Sequence, residues 1–313
     1  MVVVGAGISG VACARRLAAA GRPVRLVDRG HHLGGRLAVR IHDARAVDVG
    51  ASYFTVRGPE LSEVAEGWRR RGLARVWTDR FHSADASGLG ETRPGPERWS
   101  ATSGLRSLVE DLADGLAVER RTVETVGPGP HVDGEPAAYV VLAMPDPQAR
   151  RLLGEHHRDV RAAASGSWEP SLALAAGWSE RCWPQLDGCF VSDVEGVSWI
   201  ADDGRRRGDG APVLVAHSSP ELARRHLDDP DGALATMLAG VQRVLGIGPP
   251  PDWTAVTRWT YAKPVDARPE PYFLSESGVG LCGDGWAAPS RVEAAYLSGL
   301  SLGDAIVERL GTG

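Results

Sequence analysis

The sequence predicts an α/β protein whose N-terminal end is a parallel strand–helix–strand unit, and three observations predict it. Val2, Val3 and Val4 form an apolar run without polar alternation, as a strand buried on both faces requires. The turn Gly5-Ala6-Gly7-Ile8-Ser9-Gly10 follows, and then Val11 to Ala20, a strong helix former with small and apolar residues along one side. A second strand, Val24 to Val27, runs into Asp28, eighteen positions after Gly10. Between helix and strand, Gly21 suits the left-handed turn that closes a helix.

Each part of this unit has a task in holding a dinucleotide. Gly5 permits the tight turn, Gly7 lets backbone approach a pyrophosphate, and Gly10 lets helix and strand pack closely. The helix start at Ile8 and Ser9 presents free N–H groups and partial positive charge to the phosphates. Asp28 can accept hydrogen bonds from ribose hydroxyls, and its carboxylate would repel a 2′-phosphate. In a chain with 39 glycines a lone G-x-G-x-x-G carries little weight. The ordered sequence of strand, glycines, helix, cap, strand and acid carries the reading.

After Asp28 the chain continues Arg29-Gly30-His31-His32-Leu33-Gly34-Gly35-Arg36, a second glycine pair followed by a guanidinium suited to phosphate. This stretch resembles the extended fingerprint of flavoproteins in the amine oxidase and renalase-like group. Val47 to Phe54, with Gly50, Ala51 and Ser52 at its centre, resembles that group's segment beside the flavin ring. Trp99 to Leu105, Val140 to Pro145 (with Met144) and Trp259-Thr260-Tyr261-Ala262-Lys263-Pro264 also resemble its elements. Near the C-terminus a short strand ends in Gly283-Asp284-Gly285-Trp286, followed by an amphipathic helix from about Ser290 to Leu310. In such enzymes the aspartate binds FAD, and the helix start, here Arg291 and Val292, points at the flavin.

The resemblance implies a Rossmann-type FAD-binding domain interleaved with a smaller α+β substrate domain, whose mixed sheet lies over the flavin. The FAD domain is expected over 1–60, 100–165 and 265–313, and the substrate domain over 61–99 and 166–264. Leu172–Trp178, Cys189–Ser192, Val197–Ala201 and Pro212–His217 read as short strands. The charged run from Asp202 to Asp209 reads as an exposed hairpin connection. Six of the ten tryptophans fall between 166 and 264 and read chiefly as core.

A flavin carries its own redox chemistry, so no catalytic triad is required, and none is visible. Amine oxidase relatives often place a lysine on a strand of the substrate domain. The comparable stretch here, Ser171 to Ala176, has none. Lys263, the sole lysine, and its neighbours Tyr261 and Trp259 are the catalytic candidates. Tyr53, Trp286, Trp199 and His217 are candidates for the substrate pocket. Cys282 lies within the last strand and reads as a small buried residue, so FAD is expected to be non-covalent. The resemblance implies a small, ring-containing substrate and oxygen as acceptor.

Composition excludes other classes. A net charge of −5 gives no basic surface for nucleic acid or acidic lipid. No apolar run is long enough to span a bilayer. The four cysteines and nine histidines form no metal-ligand spacing. A strand-like run starting at Met1 leaves no room for a signal peptide, so the cytoplasm is the expected location. Oligomeric state is not legible.

Overall fold

The structure is a computed structural model and describes residues 1–311. Its first unit is a six-stranded sheet in the order β17-β18-β11-β1-β2-β7. These strands are β1 (Val2–Val4), β2 (Arg25–Asp28), β7 (Val118–Arg120), β11 (Val140–Leu142), β17 (Phe273–Leu274) and β18 (Val279–Leu281). All neighbours run parallel except the edge pair β17 and β18. Alternation along β1 sends Val3 to one face, where it meets α1 (Ile8–Ala19), α3 (Leu105–Leu112) and α9 (Val292–Gly311). Val2 and Val4 point to the other face, covered by α4 (Asp146–Leu152), α5 (Arg158–Ala163) and their connections. A small sheet of β8 (Val126–Gly127), β9 (His131–Val132) and β10 (Glu135–Pro136) lies beside that layer. The two faces explain why these strands read as continuous apolar runs.

Helices α1 and α9 come from opposite ends of the chain and pack directly together. A Cβ at Gly299 would run into the Ser9 carbonyl, and one at Gly303 would crowd Arg16 and Cys13. Small residues four apart on α9 therefore set the contact distance. Helix α2 (Pro59–Arg70) buries Leu61, Ala65 and Trp68 in the same cluster as α1 and α3. The expected boundary at 61 thus falls inside a helix that belongs with the first unit.

The second unit is a seven-stranded mixed sheet in the order β16-β12-β15-β14-β13-β5-β6. Its members are β5 (Ala74–Asp85), β6 (Gly88–Ala101), β12 (Trp168–Gly177), β13 (Gly188–Val191), β14 (Trp199–Asp202), β15 (Val213–His217) and β16 (Trp253–Pro264). On β12, Leu172, Leu174 and Ala176 point toward α7 (Pro220–Arg225) and α8 (Leu234–Leu245). Burying each of those leucines contributes on the order of 1.5–3 kcal/mol. Ala173 and Ala175 point the other way, against Val47 and Val49 of the first unit. Their small size lets the hairpin β3 (Val39–His42) and β4 (Arg45–Asp48) and the segment after it press onto the sheet.

The run from Asp202 to Asp209 is not an exposed hairpin connection. Asp203–Arg207 forms a short helix, α6, with Asp202, Asp203 and Arg206 essentially inaccessible. The Asp202 carboxylate caps it by accepting the Arg205 N–H at 2.9 Å. Alternating charge looks like a solvated turn in sequence, but here the opposite signs neutralise one another inside the protein.

Candidate functional site

At the C-terminal ends of β1 and β2 two glycine loops meet. The Gly34 N–H donates to the Ala6 carbonyl at 2.9 Å, and Gly35, at φ +52°, lies against the Gly7 Cα. A Cβ at Gly10 would strike the Gly5 carbonyl, which leaves glycine as the residue this turn tolerates. A Cβ at Gly7 would instead project into open space, so a side chain there would fill a cradle that the backbone keeps clear. Gly7 precedes α1 with no side-chain cap, so the first N–H groups of the helix face that cradle. The Asp28 carboxylate accepts the Ala6 and Gly30 N–H groups, each at 2.6 Å, and so stands between the two loops. Arg29 beside it is exposed.

From the second loop Arg36 reaches across to Asp284, with one guanidinium nitrogen 2.9 Å from a carboxylate oxygen. Arg36 also donates to the Ala262 carbonyl at 3.1 Å, which ties the end of β16 to this place. Ser290, just ahead of α9, donates to Asp284 at 2.8 Å, and the Gly283 N–H donates to Ser298 at 3.0 Å. Arg291 pairs with the inaccessible Glu293 at 3.1 Å, and Val292 opens the helix. Met144, at the turn after β11, is half-buried against the core beneath. These residues fit a dinucleotide: two helix starts, an arginine and the Asp28 carboxylate stand around a cradle built of glycine.

The segment that follows β4 runs alongside this loop. Ala51 N–H donates to the Arg36 carbonyl at 2.9 Å, and Val49 and Gly50 N–H groups donate to Ala38. A Cβ at Gly50 would collide with Arg36 backbone. From the other side, the second sheet grips the same segment. The indole N–H of Trp259 donates to the Val49 carbonyl at 2.6 Å, and that of Trp199 donates to Ser52 Oγ at 3.0 Å. Arg206 donates to the Ser52 carbonyl at 2.9 Å.

Behind Arg206 lies a buried ionic cluster that the sequence did not reveal. Asp203 pairs with Arg206 and Arg45, and Asp48 pairs with Arg207 at 3.1 Å while accepting the Leu105 N–H at 2.7 Å. Burial pushes the Asp48 carboxyl up, against the opposing effect of Arg206 and Arg207. Burial acts the same way on Asp203, but Arg206, Arg207 and Arg45 outweigh it and the net shift is downward. His217, on β15, is pushed down to about 4 by burial and by Arg206, against a contact with Gly50 backbone. It is neutral at pH 7 and sits behind residues 49–52 rather than in an open pocket.

The pocket candidates separate. Tyr53 and Trp199 come together with Trp77 and Phe81 in one aromatic cluster, with ring centroids 4.7–6.3 Å apart. Trp286 is elsewhere: it stacks near Phe273, under the Arg268 guanidinium, in the core on the far face of the first sheet. Of the catalytic candidates, Trp259 is tied to Val49, and the Tyr261 hydroxyl accepts from Arg151 at 2.7 Å. Lys263 is exposed at the edge strand, paired in register with Glu169. None of the three joins the aromatic cluster. Cys282 is fully buried and its thiol is pushed up to about 12 by burial, so it is no thiolate nucleophile. Among the described residues no cluster of His, Cys, Asp or Glu could hold a metal, and no helix is long and apolar enough to cross a membrane.

The pattern of NAD(P)-binding Rossmann-like domains matches residues 3–68, and that of flavin-containing amine oxidoreductases matches residues 70–307. Three solved structures share the fold over nearly the whole chain. A protein provisionally described as a protoporphyrinogen oxidase from Exiguobacterium superposes with a TM-score of 0.77 at 16% identity, covering 98% of each chain. Cyclohexylamine oxidase from Brevibacterium oxydans gives 0.75 at 14% identity, covering 99% of each. Reduced UDP-galactopyranose mutase gives 0.77 at 11% identity, covering 100% of this chain and 94% of the other.

Proposed function

The chain belongs to the flavin-containing amine oxidoreductase family and is an FAD-dependent oxidoreductase, and on that premise we propose that it is a renalase-like oxidase. In this reading the substrate is a small ring-containing hydride donor, a misreduced dihydronicotinamide isomer, and O2 is the acceptor. The observation that carries it is the aromatic cluster of Tyr53, Trp77, Phe81 and Trp199, joined to Ser52 by the Trp199 indole. A flat ring is the shape such walls hold best. The strand stretch Ser171 to Ala176 offers alanine and leucine where amine oxidase relatives often carry lysine, which favours this reading over amine oxidation.

Bound FAD supplies the redox chemistry: a hydride leaves a substrate ring carbon, and with one solvent proton it converts O2 to hydrogen peroxide. The roles of the chain are positional. Asp28 holds the ribose, and Arg36, Asp284, Arg291 and the α1 and α9 starts hold the phosphates and ribityl chain. Arg206, Trp259 and Trp199 fix residues 49–52 beside the ring. His217, neutral at pH 7, adds no charge there. Residues near 1–70, 100–165 and 265–311 carry the cofactor, and those near 71–99 and 166–264 carry the substrate.

The test is anaerobic addition of the 2- and 6-dihydro isomers of NAD(P)H to the yellow protein. Flavin bands that bleach within seconds and return with oxygen are the expected result. Bands that persist would overturn the substrate assignment and leave amines as the next class to try.

A further inference from the structure

Beside the aromatic cluster lies a cavity of about 180 Å³ lined by Phe81, His82, Ser83, Arg93, Pro94, Arg98 and Phe190. Arg98, near the end of β6, is only 9% exposed, yet its Nε and one terminal nitrogen have no hydrogen-bond partner. No carboxylate pairs with it among the described residues. Its guanidinium instead stacks 4.0 Å from the centroid of Phe81 and meets the Tyr53 hydroxyl, which leaves Nε and one terminal nitrogen without a partner. A second buried donor, the Trp77 indole N–H, is also unpartnered. Elsewhere in this protein buried arginines are paired: Arg206 and Arg207 answer Asp48 and Asp203. A buried guanidinium without an anion is costly, because a ring face and a neutral hydroxyl replace only part of the water it has given up.

The lining carries two arginines and a histidine and no acid. Such a wall attracts an anion and repels an ammonium ion. Phe190, 54% exposed, stands at the mouth, so a ligand can reach the cavity from solvent. Trp199 meets Phe81 edge-on and Phe190 at a tilt and is bonded to Ser52, so two rings of the lining pack against the residue that reaches the segment proposed to lie beside the flavin. The Tyr53 phenol stands beside Arg98, and burial pushes its pKa up, so the hydroxyl keeps its proton and remains a donor.

We infer that Arg98 forms an anion subsite in the substrate pocket, and that the substrate carries a carboxylate or phosphate beside its flat ring. The inference rests on the reading of this aromatic face as the substrate site and deepens it. Arg98 acts as a binding group and selects against cationic amines; it takes no part in hydride loss.

The test is equilibrium binding to the FAD-loaded protein, read by tryptophan fluorescence and by the flavin difference spectrum. Benzoate, phenyl phosphate, benzamide and benzylamine serve as probes. Benzoate is expected to bind at least tenfold more tightly than benzamide, and benzylamine more weakly than either. Arg98→Met should weaken benzoate at least tenfold and leave benzamide unchanged, and Arg98→Lys should recover part of the loss. A phenyl phosphate that outbinds benzoate assigns the anion as phosphate, and the reverse order assigns carboxylate; both support the subsite. Equal binding of benzoate and benzamide to the unaltered protein, or unchanged benzoate binding in Arg98→Met, overturns it. Should Arg98→Met fail to fold, Arg98→Lys decides by the same comparison. No turnover is needed, so a failure of dihydronicotinamide isomers to bleach the flavin leaves this result standing.

Discussion

The two glycine loops and the segment 49–52 are held by different means. Around Gly5–Gly10 and Gly34–Arg36 the work is done by backbone: N–H groups, left-handed glycines and a helix start, with Asp28 as the main side chain. Around residues 49–52 it is done by side chains from remote segments, with Trp259, Trp199 and Arg206 each reaching in from the second sheet and its helix. A backbone cradle is local, so it withstands change elsewhere. The side-chain clamp couples two units, so damage to it should propagate.

The largest effect should come from the clamp. Arg206→Met leaves Asp203 and Asp48 buried with fewer cations, and breaking such a network typically costs about 3–5 kcal/mol. Urea denaturation should show a loss of that order, with Arg45 and Arg207 keeping it toward the lower end. A loss under 1 kcal/mol would break the contrast between the two regions.

A second effect is pH dependence from His217. Its folded pKa of about 4 lies below the usual 6.5, so the unfolded chain binds more protons between those values. Stability from this group is therefore present above pH 6.5 and is lost as pH falls toward 4, by up to about 3 kcal/mol. His217→Gln should flatten that slope. Asp48, with its raised pKa, acts in the opposite sense as pH falls, and Asp203 adds a loss only below the ordinary carboxylate range. An unchanged slope in His217→Gln would show that the histidine is not what senses pH.

The glycine loops should respond more narrowly. Asp28→Ala removes a charged acceptor from the Ala6 and Gly30 amides and from the ribose. Retention of FAD, measured by titrating apoprotein, should weaken about 10- to 100-fold, as expected for hydrogen bonds to a charged group. Folding of the second sheet should be untouched. If Asp28→Ala and Arg206→Met lower stability equally, the distinction between a local cradle and a coupling clamp is lost.

Legibility followed the same division. Val2 to Asp28 could be read because each residue's task depends on its neighbours in sequence: apolar run, turn glycines, helix, cap, acid. Four strands of the second sheet, β12 to β15, were legible as short apolar runs, whereas β5, β6 and β16 were not read as strands. Asp203 and Arg206 were misread as solvated because their charges are satisfied by Asp48 and Arg45, more than 150 residues away. Trp286 sits beside a cofactor motif in sequence, but the turn after Asp284 carries it under Arg268 and into the other core.

By itself the sequence determined the α/β class and the dinucleotide cradle, because backbone geometry within a few residues decides those, and the resemblance of its motifs to a flavoprotein family added the flavin. Which aromatic rings meet, which arginine is left without an anion and which charges are buried were decided only in the tertiary structure. Those properties belong to pairs of residues, and chain separation hides the pair until the sheets are packed.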